Sequence, residues 1–149
     1  MRVLLAGSNG GHLHQLDALR PWFAQHERRW VTFDRPDVQS MLDGEAVTWA
    51  HHPTTRNIPN LLRNFRLAGK VLRDYRPDIV VSTGAGVAVP FFYLSKLMRI
   101  PTVYIEVYDR LDRATLTGRL CRPVTDLFLV QWEEQRKLYP EATVIGPLL

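Results

Sequence analysis

The sequence is poor in the features that announce most functions. Its single cysteine, Cys121, excludes an internal disulfide, supplies no zinc set and suits a reducing compartment, so packing is its expected role. There is no long apolar run: the richest stretch, Val87 to Leu97, is broken by Pro90, Ser95 and Lys96 and is too short to span a bilayer. Any membrane contact is therefore expected to be peripheral. No secretory leader is visible, because Met1-Arg2 leads straight into Val3 to Ala6 and then into glycines, which predicts a chain that stays in the cytoplasm. Repeats, low-complexity segments and linkers are absent. The segment Gly7 to His12, GSNGGH, has neither the GxGxxG spacing of a dinucleotide fingerprint nor the lysine of a P-loop, so both standard nucleotide motifs are excluded.

What is present bounds the problem. With 149 residues, 46% of them hydrophobic, the chain is expected to form one domain over 1–149, with no room for a second. A net charge of +4 favours an anionic partner: a phosphorylated ligand, an acidic membrane surface or nucleic acid.

Seven short runs rich in β-branched and aromatic residues read as strands buried on both faces: Val3–Ala6, Trp30–Phe33, Ala46–Trp49, Ile79–Val81, Thr102–Ile105, Leu127–Val130 and Thr143–Ile145. Helical periodicity lies between them. Leu13, Leu16, Leu19 and Phe23 repeat at helical spacing, as do Ile58, Leu61, Leu62, Phe65, Ala68, Leu72 and Tyr75. The alternation predicts an α/β fold with a doubly wound, Rossmann-like parallel sheet, whose ligands gather where loops leave the carboxyl ends of the strands.

Those strand ends carry the informative residues. Ser8, Asn9, Gly10, Gly11 and His12 follow the first strand, and Thr83, Gly84, Ala85 and Gly86 follow the fourth. Each loop can be a strand-to-helix turn and nothing more. Side by side at one sheet edge, they could also hold a diphosphate between two helix N-termini. A third strand end brings Glu106 and Asp109 beside the same crevice, or into an ordinary surface loop.

His12 sits at the mouth of that crevice, where a neutral imidazole can act as general base toward a sugar hydroxyl or donate to phosphate. His14 should point to another face. No metal and no cofactor are expected, since His12 and His14 lack helical ligand spacing and no Cys or carboxylate cluster supports them. His51-His52 reads as an exposed strand-to-loop transition.

The helix expected over Asn57 to Arg76 carries Arg63, Arg66, Lys70 and Arg73 against one acidic residue, Asp74, the balance of an amphipathic helix at an anionic membrane surface. The same helix could simply pack its apolar stripe on the sheet. Nucleic acid is not an expected partner, for no aromatic platform or recognition motif accompanies the charge.

The segments GSNGGHLHQL, RRWVTFDRPD, PTTRNIPNL, PDIVVSTGAGVAVPFFYLSKL, PTVYIEVYDRLDRATLTGRL and TDLFLVQWEEQRKLYP, in this order, resemble the bacterial PssD-type capsule and exopolysaccharide proteins. These in turn are similar to the membrane-associated subunit of the two-piece UDP-N-acetylglucosamine transferase of eukaryotic N-glycan assembly, and to the N-terminal half of MurG-like enzymes. The resemblance covers essentially the whole chain. It implies the N-terminal, acceptor-binding half of a GT-B glycosyltransferase, acting with a PssE-type catalytic subunit that holds the UDP-sugar.

The further implications are specific. An undecaprenyl-diphosphate-linked saccharide would be the acceptor, its diphosphate lined by Ser8, Asn9, Gly10, Gly11 and by Thr83 to Gly86. His12, Glu106 and Asp109 would serve as catalytic or acceptor-positioning groups. Pro147, Leu148 and Leu149, near where a fused enzyme would cross into its second domain, would dock the partner. The chain would be inactive alone and would lie peripherally on the cytoplasmic face of the cell membrane, without the N-terminal anchor of the eukaryotic members. Two other classes stay open: a non-catalytic scaffold that recruits a complete transferase to the membrane, and a free nucleotide-binding enzyme of Rossmann type.

Overall fold

All seven apolar runs become strands in the computed structural model, which describes residues 1–149: β1 (Arg2–Gly7), β2 (Glu27–Phe33), β3 (Val47–Ala50), β4 (Ile79–Gly84), β5 (Thr102–Ile105), β6 (Leu127–Val130) and β7 (Thr143–Val144). They form one sheet in the order β3-β2-β1-β4-β5-β6-β7, every neighbouring pair parallel. The helices are α1 (Gly11–Asp17), α2 (Arg20–Phe23), α3 (Pro36–Met41), α4 (Ile58–Tyr75), α5 (Ala88–Leu97) and α6 (Leu116–Cys121), with 3₁₀ turns at Arg122–Val124 and Glu133–Lys137.

Helices cover both faces, which is why strands such as β1 are apolar without alternation. Val3 and Leu5 face one layer, where Leu13, Leu16, Phe23, Trp30 and Val38 pack; Leu4 and Ala6 face the other, with Ala68, Leu72, Phe91 and Phe92. Each of the valine, leucine and phenylalanine side chains among them contributes about 1.5–3 kcal/mol by leaving water.

The periodicity that ran unbroken from Leu13 to Phe23 is split into α1 and α2. Pro21 is the physical reason: it has no N–H to donate, and its ring would strike the carbonyl of Asp17 in a continuing helix. The long helix, by contrast, ends where the sequence expected. Asn57 caps α4 by accepting the Asn60 N–H at 2.9 Å, and Arg76 stops it in the left-handed conformation.

The buried stripe of α4 differs from the expected one. Ile58 and Leu62 are 65% and 63% exposed, while Asn60 and Asn64 point inward. The first two turns face the backbone of residues 51–53 rather than the sheet, and that backbone needs polar partners. Asn64 supplies two, accepting from the His51 N–H at 2.9 Å and donating to its carbonyl at 3.0 Å, and Asn60 donates to the Pro53 carbonyl at 2.9 Å.

Strand β1 pairs with β2 on one side and β4 on the other, so the strand order reverses there and a crevice opens above their carboxyl ends. The β1–β4 register slips at this point: Ala6 pairs with Ser82 but Gly7 pairs with Gly84, leaving Thr83 as an extra residue in β4.

Candidate functional site

The extra residue in β4 turns Thr83 toward α1, and there it meets His12. The Thr83 hydroxyl donates to the His12 carbonyl at 2.5 Å, and His12 Nδ1 lies 3.0 Å from the Thr83 carbonyl oxygen. A carbonyl only accepts, so Nδ1 carries a proton, and the tautomer this selects has Nε2 as its acceptor. The two glycine loops expected to face each other are thus brought together, clasped by these two residues.

Gly84 makes the close approach possible. Its φ is +117°, and a Cβ there would stand 2.7 Å from the Tyr104 hydroxyl and 3.2 Å from His12 Cε1. Across the first loop, Gly10 has φ +78° and Gly11 opens α1, and added Cβ atoms at either would meet nothing within 4 Å. Ser8 and Asn9 are half-buried. The space above Gly10 and Gly11 is therefore free for a ligand to approach the backbone.

Two contributors were not legible in the sequence. Thr54, in the loop after β3, covers Gly86 so closely that a Cβ there would lie 2.9 Å from its Oγ1. Tyr104 forms the floor beneath Gly84; its hydroxyl is buried with no hydrogen-bond partner, and burial, then the nearby Glu106 carboxylate, push its titration well above the ordinary tyrosine value.

Glu106, read from sequence as an acidic group beside the crevice, is instead fully buried. Its carboxylate accepts the Tyr139 hydroxyl at 2.6 Å, the Thr115 hydroxyl at 3.0 Å and the Val107 N–H at 3.1 Å. Thr115 in turn caps α6 through the Gly118 N–H at 2.9 Å. A carboxylate held this way anchors α6 and the segment after β6 to the end of β5. Burial and the Glu106 charge raise Tyr139 above its ordinary value, and the same two causes push the Cys121 thiol up to about 12. Asp109 lies exposed on the following loop, apart from Glu106.

Arg63, Arg66, Lys70 and Arg73 do come together. With His51 and Leu67 they line a groove of about 480 Å³ on the outer side of α4. None of the four pairs with a carboxylate, since the six ion pairs of the chain lie elsewhere. The exposed Leu62 and Ile58 lie one and two turns before Arg66 on the same helix.

Of the final residues, Pro147 and Leu149 are exposed, and Leu148 is half-buried against the layer that holds α1. The Leu148 N–H donates to the Gln131 side chain at 3.0 Å.

Comparison with known proteins gives this geometry a setting. A family model described as "oligosaccharide biosynthesis protein Alg14 like" matches residues 50–148. The UDP-N-acetylglucosamine transferase subunit ALG14 of Candida albicans is 28% identical over 99 residues, covering 62% of this chain and 45% of that protein. A UDP-N-acetylglucosamine–N-acetylmuramyl-(pentapeptide) pyrophosphoryl-undecaprenol N-acetylglucosamine transferase of Caldanaerobacter subterraneus is 29% identical over 89 residues, covering 60% of this chain and 24% of that protein. The chain thus spans less than half the length of these curated relatives. Among solved structures, MurG of Acinetobacter baumannii superposes with a TM-score of 0.74 over 89% of this chain and 42% of that one, at 16% identity. The fold is accordingly one Rossmann-like half of the GT-B architecture.

Proposed function

The chain belongs to the Alg14-like family of oligosaccharide biosynthesis proteins, and from this we propose that it is the acceptor-side subunit of a split UDP-sugar glycosyltransferase. The observation that carries the reading is the pair of glycine loops clasped by His12 and Thr83 at the β1–β4 switch point, with the backbone of Gly10 and Gly11 open to solvent. Backbone N–H groups there suit the diphosphate of a lipid-linked saccharide. The sequence blocks shared with PssD-type proteins favour an undecaprenyl carrier and a capsule or exopolysaccharide product, and a PssE-type partner holding the UDP-sugar.

In this scheme an acceptor hydroxyl attacks the anomeric carbon of the donor sugar. The new glycosidic bond forms as the bond to the UDP oxygen breaks, UDP leaves with that electron pair, and the hydroxyl proton passes to Nε2 of His12. Asp109 positions the acceptor from the exposed loop, and Glu106 acts by holding that loop's base. The basic groove of α4, with Ile58 and Leu62, seats the subunit on the anionic cytoplasmic face of the membrane, and Pro147 to Leu149 receive the partner.

The test is reconstitution. The purified chain should transfer no sugar from a UDP-sugar to an undecaprenyl-diphosphate saccharide, and transfer should appear when the partner, expected from the adjacent reading frame, is added. Robust transfer by this chain alone would overturn the split reading. Loop variants that still bind the partner separate the remaining options: lost transfer supports acceptor binding, and unchanged transfer supports a recruiting scaffold.

A further inference from the structure

Three glutamines, Gln15, Gln131 and Gln135, are no more than 2% exposed, although a layer sealed by apolar side chains alone would be the simpler way to close this part of the fold. Their partners are mostly backbone. Gln131 Nε2 donates to Gln15 Oε1 at 2.5 Å and to the Glu106 carbonyl at 3.0 Å, while Gln131 Oε1 accepts the Leu148 N–H at 3.0 Å. Gln15 Oε1 also accepts the Tyr108 N–H at 3.3 Å. Gln135 accepts the Gln131 N–H at 2.8 Å and donates to the Val107 carbonyl at 2.8 Å and the Arg110 carbonyl at 3.1 Å. Each backbone partner fixes which end of its amide is oxygen and which is nitrogen, so none of these side chains can turn over without breaking a bond.

The chain of bonds has two ends. One is Leu148, in the C-terminal tail; the other is Gln15, one turn beyond His12 on the same helix, with the loop 106–110 between them. We propose that Gln131 and Gln15 are positioning residues that couple the C-terminal tail to the acceptor loops, so that docking of a partner on the tail orders α1, His12 and the 106–110 loop for the acceptor. The inference rests on the proposed split-transferase function and adds to it a route by which the partner acts on a site it does not itself build. A buried chain of hydrogen-bonded amides can carry such coupling because shifting one member strands the buried polar groups of the next.

The experiment compares wild type, Gln15→Met, Gln131→Met and the double variant in the reconstituted complex, using an undecaprenyl-diphosphate saccharide and a UDP-sugar. Gln15→Met should raise the KM for acceptor by roughly 5- to 150-fold, the usual range of coupling between sites, with the KM for donor and the affinity for partner measured without acceptor unchanged. Gln131→Met should weaken partner binding as well. The double variant should raise the acceptor KM no further than Gln131→Met does, because both changes cut one chain. Additive effects, or equal changes in donor and acceptor KM, would overturn the relay.

Hydrogen exchange on wild type needs no variant to fold. Adding partner should slow exchange at the amides of Leu148, Tyr108 and α1 together, and protection confined to residues 146–149 would also overturn it. If the wild-type complex transfers no sugar while the linked protection appears, the functional reading falls and the coupling stands.

Discussion

His12 and Thr83 hold each other through two hydrogen bonds, one from each residue to the other's carbonyl oxygen, although they lie 71 positions apart in the chain. The clasp fixes the histidine ring and joins the two loops. Replacing His12 with Ala should lower transfer by the complex about 10²- to 10⁴-fold, the usual worth of a general base. Fully retained activity would remove His12 from the mechanism. Thr83→Val keeps the ring but loses one half of the clasp, and is expected to cost about 1 kcal/mol of stability with a smaller loss of rate.

Glycine variants separate structure from binding. Gly84→Ala forces a side chain into a positive-φ position against Tyr104 and His12, and should lower the melting temperature as well as activity. Gly11→Ala adds a methyl group to open space, so the fold should be unchanged while acceptor affinity falls. An acceptor KM equal to wild type in Gly11→Ala would mean that no ligand approaches the first loop.

Stability should depend on pH through Glu45. Its hydrogen bonds with the Arg28 guanidinium hold its carboxyl below the ordinary value of 4.5, against the opposing effect of burial, and Trp30 Nε1 donates to it at 2.9 Å. The folded pKa lies below the unfolded one, so this contribution is complete above about pH 4.5 and is lost as pH falls through the folded value. Glu45→Gln should therefore be less stable than wild type at pH 7, by about 1–2 kcal/mol. Denaturant melts should show that gap closing below pH 4.5, and a gap independent of pH would show that the charge plays no part.

Membrane binding is testable without the partner. Reversing Arg66 and Lys70 to Glu should weaken binding to vesicles containing anionic lipid by roughly 30-fold or more, at about 1 kcal/mol for each basic residue lost. Binding to neutral vesicles should not change. Ile58→Ser with Leu62→Ser should weaken binding to both kinds of vesicle, and flotation assays at low and high salt would separate the two contributions.

Cys121 should resist alkylation at pH 8 in the native chain and react at once in denaturant, because burial and the Glu106 charge hold its thiol near 12. Ready modification of the folded protein would show that α6 opens easily.

The sheet was legible in the sequence because strands buried on both faces show themselves as compact apolar runs, and all seven were found within a residue or two except β2, which starts earlier, and β4, which runs on to Gly84. The bounds of α4 were legible for a similar local reason: the periodic pattern runs from just after Asn57 to just before Arg76, although that these two residues cap it was not. What escaped depends on distant partners. Asn60 and Asn64 face inward only because the 51–53 backbone lies opposite them, and nothing near them in sequence says so. Glu106 looked available for chemistry because its three hydrogen-bond donors, two of them side chains 9 and 33 positions away, could not be seen from its neighbours. Both glycine loops were identified, but their clasp was not, since it depends on a register slip between two strands.

That register slip also sets a timetable. Strand β1 is synthesised well before β4, yet they are neighbours, with Val3 paired to Ile79. A growing chain can close β1 against β2 and form α1 early, with His12 already in place on its helix. The residue that clasps His12 is made only after α4, and long-range parallel pairing of this kind is slow. The first loop must therefore wait, unclasped, while a basic helix with two bare apolar side chains takes shape on the other face of the sheet, so the crevice closes only once residues 83–86 have been made, although its first half is among the earliest parts synthesised.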